Sequence, residues 1–198
     1  MRRTPPARPT RRTSLAALAA LPLLAPALAR AGDERLEARV TALARELGAI
    51  ADSPAAQRGA ALRALIDAVV DLDAWCRAAV PDWAAQPRDT RLALLERARR
   101  LLVARALGRL DAGRRFAIEV EKTRASSRHP IVDCLVHTAD ASYEIGLVWS
   151  GDRVVDVHLE GLSVATADRR RIARAWADGG APAALAALDR AIARAKNP

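Results

Sequence analysis

Asp156, His158 and Glu160 occupy alternate positions in the stretch Arg153-Val154-Val155-Asp156-Val157-His158-Leu159-Glu160-Gly161-Leu162-Ser163. Residues two apart on a strand project the same way, so two carboxylates and an imidazole would share one face there. Asp133 and His137 stand four apart on another extended stretch and could flank the first group from a neighbouring strand. A carboxylate beside a histidine suits proton transfer or metal ligation, which is the chemistry of a small envelope enzyme. Against that, a solvated strand face is charged for ordinary reasons. The sequence also has no Ser/His/Asp arrangement, no HExxH and no glycine-rich phosphate loop, so no residue is assigned a catalytic or metal-binding role. Cys76 and Cys134 lack any metal-knuckle spacing. An oxidising compartment would permit a bridge between them, and separate burial is the alternative.

The elements that must position these residues follow from periodicity. Val155, Val157 and Leu159 alternate with the three polar residues and predict a strand with one dry face. Phe116, Ile118 and Val120, then Val132, Cys134 and Val136, then Tyr143, Ile145, Leu147 and Trp149 repeat the alternation, and Ser150-Gly151-Asp152 is a tight turn into the last strand. Four strands without crossover helices imply an antiparallel sheet with a dry side to be covered. Upstream the period is 3.6. Leu36, Val40, Leu43, Leu47 and Ile50 make one stripe, Ser53 can cap the next helix with Pro54 in its first turn, and Leu95, Ala98, Leu102 and Ala106 form a stripe on a further helix. A helical tail breaks at Gly179-Gly180 and restarts behind Pro182. The expectation is an α+β domain: a helical part over 32–112, a curved antiparallel sheet of about four strands over 116–163, and C-terminal helices over 166–198.

Residues 1–31 read as an export signal. Arg11-Arg12 precede an apolar run from Leu15 to Ala29, and Ala29-Arg30-Ala31 is a small-x-small cleavage site; the paired arginines suggest the twin-arginine route. The run is interrupted by Pro22 and Pro26 and is too short to span a bilayer core of about 30 Å. Export implies a soluble periplasmic domain of residues 32–198. The leader carries six arginines and no acid, so its removal takes the net charge from +9 to +3. That argues against nucleic acid as a partner for the arginine runs at 97–115 and 169–174. A solvated surface, or one that meets anionic lipid or an acidic protein, is the better reading. A purely protein-binding adaptor or chaperone of the envelope is a third class.

Val154-Val155-Asp156-Val157, Glu160-Gly161-Leu162-Ser163, Arg169 and Gly179-Gly180 followed by Ala184-Leu185 resemble the C-terminal signature of the toluene-tolerance family. These are MlaC-type periplasmic phospholipid carriers. Leu65-Ile66-Asp67, Val70-Asp71-Leu72, Trp83 and the segment Arg91 to Leu107 are similar to its helical half, while Asp152 stands where the family carries an aromatic residue. The resemblance implies a monomeric shuttle without a cofactor that holds a phospholipid between sheet and helices. Its implied partners are an inner-membrane ABC transporter complex and an outer-membrane lipoprotein complex. A hopanoid-associated relative would change the lipid and keep the architecture. The implied lining positions are Leu65, Val69, Trp75, Leu102, Ile118, Val136, Ile145, Leu147, Val157 and Leu159.

Overall fold

The switch in period from 3.6 to 2 becomes a switch from helix to strand. The computed structural model describes residues 21–110, 116–125, 128–138 and 141–196. In order, α1 (Leu21–Asp52), α2 (Ala55–Val69), α3 (Leu72–Arg77), a single 3-10 turn (Trp83–Ala85) and α4 (Arg88–Leu110) lead into β1 (Phe116–Arg124), β2 (Ile131–Thr138), β3 (Ser142–Ser150), β4 (Arg153–Leu159) and β5 (Leu162–Ser163). Helix α5 (Val164–Lys196) ends the chain. The strands form one antiparallel sheet in sequence order, so the class is α+β, with one strand more than expected. Arg11-Arg12 lie outside the described residues. No helix among the described residues is long and apolar enough to cross a membrane.

The fifth strand comes from a turn that alternation alone hides. Glu160 and Gly161 both take positive φ, 50° and 75°, as a two-residue hairpin requires, so Leu162 and Ser163 fold back onto Leu159 and His158. Glu160 therefore stands in a turn and leaves the face it was expected to share with Asp156 and His158. A bulge corrects the strand further. Trp149 pairs with Val154 but Val148 pairs with Asp156, so Val155 is an extra residue. Val154 joins the dry face beside Trp149, and Val155 packs on the other face with Ile131, Val148 and Ala74.

Helix α1 divides its stripe between two layers. Leu36, Val40 and Leu43 meet the sheet, while Leu43, Leu47 and Ile50 meet α2 and α4. Ser53 does not cap α2: its hydroxyl donates back to the Ile50 carbonyl at 2.7 Å and closes α1, and Pro54 takes the N-cap position without a side-chain bond. On α4 the buried positions facing α3 and α5 are Leu94, Ala98, Leu101 and Ala104, with Leu95 and Leu102 at their flank, while Leu110 is buried against α1 and α2. The helix is sandwiched between α5 on one side and α1 and α2 on the other, which broadens the expected single stripe.

Because β5 covers only the far end of β4, the near end needs another partner. The link between α2 and α3 supplies it: the Asp71 N–H donates to the Val154 carbonyl at 2.9 Å and Arg153 donates to the Ala68 carbonyl at 2.8 Å. Within α5, Gly180 sits at φ 63°, ψ −152°, a backbone state that side chains exclude, and Pro182 reopens the helix two residues later, as the pattern predicted.

Candidate functional site

The apolar sheet face is assembled by register. Across the strands run Ile118–Val136–Tyr143, then Val120–Cys134–Ile145–Leu159, then Thr123–Val132–Leu147–Val157, and finally Trp149–Val154. Val132, Cys134, Trp149 and Val154 are buried with Val40 of α1, and Ile118, Val120, Leu147 and Val157 pack around them as partly buried neighbours. Val136, Ile145 and Leu159 are also half-buried but belong to no closed cluster. Helix α1 thus covers the face beside Trp149 and Val154, and toward Ile145 and Leu159 large aliphatic side chains stay partly uncovered.

Six of the ten residues singled out from the sequence lie together on this face: Ile118, Val136, Ile145, Leu147, Val157 and Leu159. Val69 adjoins it, packing against the sheet cluster and against the cluster of α1, α2 and α4. Leu65 lies in the latter cluster with Ile50, Leu62 and Leu110. Leu102 leans on the α3–α4–α5 core, and Trp75 is buried on α3. Leu65 and Leu102 thus stand in helical packing, and Trp75 belongs to no cluster with the face.

The polar face is organised otherwise than an acid–base site would need. Asp156 is only 8% exposed. Its Oδ1 accepts from the Val157 and Ala165 N–H groups at 2.7 and 3.0 Å, and its Oδ2 from the Ser163 hydroxyl at 2.5 Å. Ser163 Oγ in turn accepts from the Thr166 N–H at 2.9 Å. The carboxylate and the hydroxyl together satisfy orphan donors that begin α5, where a negative charge is also favoured by the helix dipole. His158 Nε2 is 3.5 Å from Asp156 Oδ2, and Asp133 accepts from Arg124 Nε at 2.7 Å. Gly146 lets Asp133 and His158 approach across the strands, since a Cβ there would meet Asp133 Oδ1 at 3.2 Å and His158 Cβ at 3.4 Å. A recess of about 260 Å³ at this rim is lined by both signs of charge, Lys122 and Arg124 beside Asp133 and Glu144, together with the His158 ring.

Both cysteines are free and buried in separate clusters, which settles the open choice in favour of separate burial. Burial, with help from Asp73, pushes the Cys76 thiol up to about 12, and burial with Asp133 and Glu121 pushes Cys134 up to about 11, so neither offers a ready thiolate. The α4 arginines were expected to point into solvent, yet several tie helices together. Arg97 reaches Asp189, Arg99 reaches Asp67 and Glu96, and Arg105 grips Asp168 at 2.6 and 2.8 Å. Asp168, 2% exposed, also takes Arg171, and Arg169 turns to the Val155 carbonyl, which leaves Arg170 and Arg174 as the exposed members of that run. Nothing in the sequence around Asp168 marks it as buried. A larger cleft of about 920 Å³ opens between α3, the 3-10 turn and α4, but its rim is Asp73, Arg77, Asp82 and Arg91 and it lies away from the sheet.

This order of elements has counterparts among known proteins. The sequence model of the MlaC protein family matches residues 36–190. The chain belongs to the MlaC family. A solved phospholipid-binding protein from Ralstonia solanacearum, in complex with a phospholipid, matches with a TM-score of 0.67 at 17% identity, over 80% of this chain and 97% of that one. No curated protein matches the chain by sequence. The matched span of this MlaC chain begins at Leu36, an α1 residue packed on the sheet, and includes every residue of the apolar face.

Proposed function

We propose that this chain is a periplasmic phospholipid carrier. It holds acyl chains against the sheet face and shuttles them for an ABC-type intermembrane lipid transport system. The observation that carries the reading is the half-covered row Val136, Ile145 and Leu159, continuous with Ile118, Leu147 and Val157. A domain gains nothing by leaving such side chains partly wet, and an apolar ligand would complete their burial. At about 0.8 kcal/mol per buried CH₂, two long acyl chains represent on the order of 20 kcal/mol that water does not accept, so a carrier must offer a continuous apolar surface of this kind. Membership of the MlaC family and the phospholipid carried by the Ralstonia solanacearum protein support the same ligand class. Val69 flanks the tails in this reading, while Leu65, Trp75 and Leu102 fix the helices that border them.

The delivery partners are an inner-membrane ABC complex and an outer-membrane lipoprotein complex, reached after export and removal of residues 1–31. The chain acts as a monomer and without catalysis. Lipid extraction and mass spectrometry on protein purified from the envelope without detergent test the proposal. A co-purified two-chain phospholipid supports it, a hopanoid would move the chain to the related carrier class, and a lipid-free protein with turnover would refute it. N-terminal sequencing of the same material should begin near residue 32; a Met1 start would refute export with cleavage.

A further inference from the structure

On α1, Arg39 lies three residues after Leu36 and four before Leu43, within the stripe that packs on the sheet, one position from the buried Val40. An arginine there is out of place by polarity. Its guanidinium carbon stands 5.6 Å from the centroid of the Trp149 ring, a cation–π contact that holds the charge over the apolar face. Arg39 has no ion pair among the described residues, and its Nε is buried without a hydrogen-bond partner. Trp149 is 0% exposed, and its indole Nε1 is likewise buried without an acceptor.

Buried donors are nearly always partnered, so two unpartnered N–H groups on side chains in contact with each other point to an acceptor that would complete them. Val40, Val132 and Val154, buried in the same cluster as Trp149, have no side-chain acceptor to give. The positive charge of Arg39 adds that the missing group is anionic, and a guanidinium matches the oxygens of a phosphate. Trp149 is the last apolar residue before the exposed Ser150-Gly151-Asp152 turn, so this end of the face also borders solvent.

We propose that Arg39, with the Trp149 indole N–H as second donor, is the subsite for the phosphate of the bound lipid, which sets the headgroup at the β3–β4 turn and runs the tails toward Ile145 and Leu159. This rests on the carrier function proposed for the sheet face and gives it an orientation and a selectivity. A two-chain lipid without phosphate should fill the apolar face yet leave both donors unmet.

The test loads the purified protein from vesicles holding equal parts of phosphatidylglycerol and diacylglycerol with identical chains, and reads the bound ratio by native mass spectrometry. Wild type should favour phosphatidylglycerol. Arg39→Met, which keeps the packing stem, should lower that preference about ten-fold or more, the worth of a charge-assisted hydrogen bond. Arg39→Lys should restore part of it. Trp149→Phe keeps an aromatic ring and removes the N–H, and should give a smaller loss in the same direction. Circular dichroism melts verify that each variant is folded. Uptake of both lipids with no preference, or a preference unchanged by Arg39→Met, overturns the subsite while leaving the carrier intact. Uptake of neither lipid refutes the carrier itself. Calorimetric binding of inorganic phosphate that Arg39→Met abolishes, together with no lipid preference, would also overturn it, because the site would then serve a free anion.

Discussion

Replacing Asp156 by alanine separates a structural carboxylate from a catalytic one. The substitution deletes acceptors for the Val157 and Ala165 N–H groups and for the Ser163 hydroxyl, all at 3.0 Å or less. Loss of a helix N-cap costs about 1 kcal/mol, and the buried Ala165 N–H left without a partner adds about 1–3 kcal/mol. Together these give roughly 3 kcal/mol, and in a domain of this size each kcal/mol lowers Tm by about 2–4 °C. Asp156→Ala should therefore melt roughly 6–12 °C below wild type. Asp156→Asn keeps an acceptor oxygen for the two N–H groups, and should recover most of the difference except the charge at the helix start, worth about 0.3–1 kcal/mol. The measurement is a thermal melt by circular dichroism, with lipid retention read well below the transition. If Asp156→Ala melts with wild type but abolishes function, the carboxylate does chemistry rather than capping, and the structural role assigned to it at the β4–α5 junction is wrong.

Other expectations follow from the same geometry. Ile145→Asp or Leu159→Asp places a carboxylate on the half-covered apolar face; each should still show a cooperative melt but lose co-purifying lipid, whereas His158→Ala should retain it. Arg105→Met leaves Asp168 buried with Arg171 alone, and should cost about 3 kcal/mol in denaturant unfolding, with part of it regained in the double variant Arg105→Met, Asp168→Leu. Because both thiols are held above the ordinary value of 9.0, iodoacetamide should label native protein at pH 9 far more slowly than unfolded protein. The sign for stability is that of a raised pKa. The contribution is whole below pH 9 and lost as the pH climbs toward about 11 for Cys134 and about 12 for Cys76, and a Cys76→Ala, Cys134→Ala variant should lack that alkaline slope.

Local pattern determined much of this protein. Alternation at Ile118, Val136, Ile145, Leu147, Val157 and Leu159 marked the residues of one sheet face, because the strand period of two needs no long-range information. The glycine pair at Gly179-Gly180 announced the break in α5 for the same reason: its backbone preference is intrinsic. The family signature between Val154 and Ser163 was legible there too, and brought the carrier reading with it.

Only the tertiary structure decided what depends on who sits opposite. The bulge at Val155 is a mismatch between two strands and is invisible in either alone, so it exchanged the roles of Val154 and Val155. Asp156 reads as a solvated strand residue until α5 starts beside it and turns it into a cap. Asp168 is an ordinary acid in a basic run until Arg105, sixty-three residues earlier, closes on it. Leu65, Trp75 and Leu102 are apolar at helical spacing, which fixes that they face inward but not toward which layer. Periodicity gives each side chain a direction relative to its own backbone, and burial and partnership arise only when a second element is placed against it.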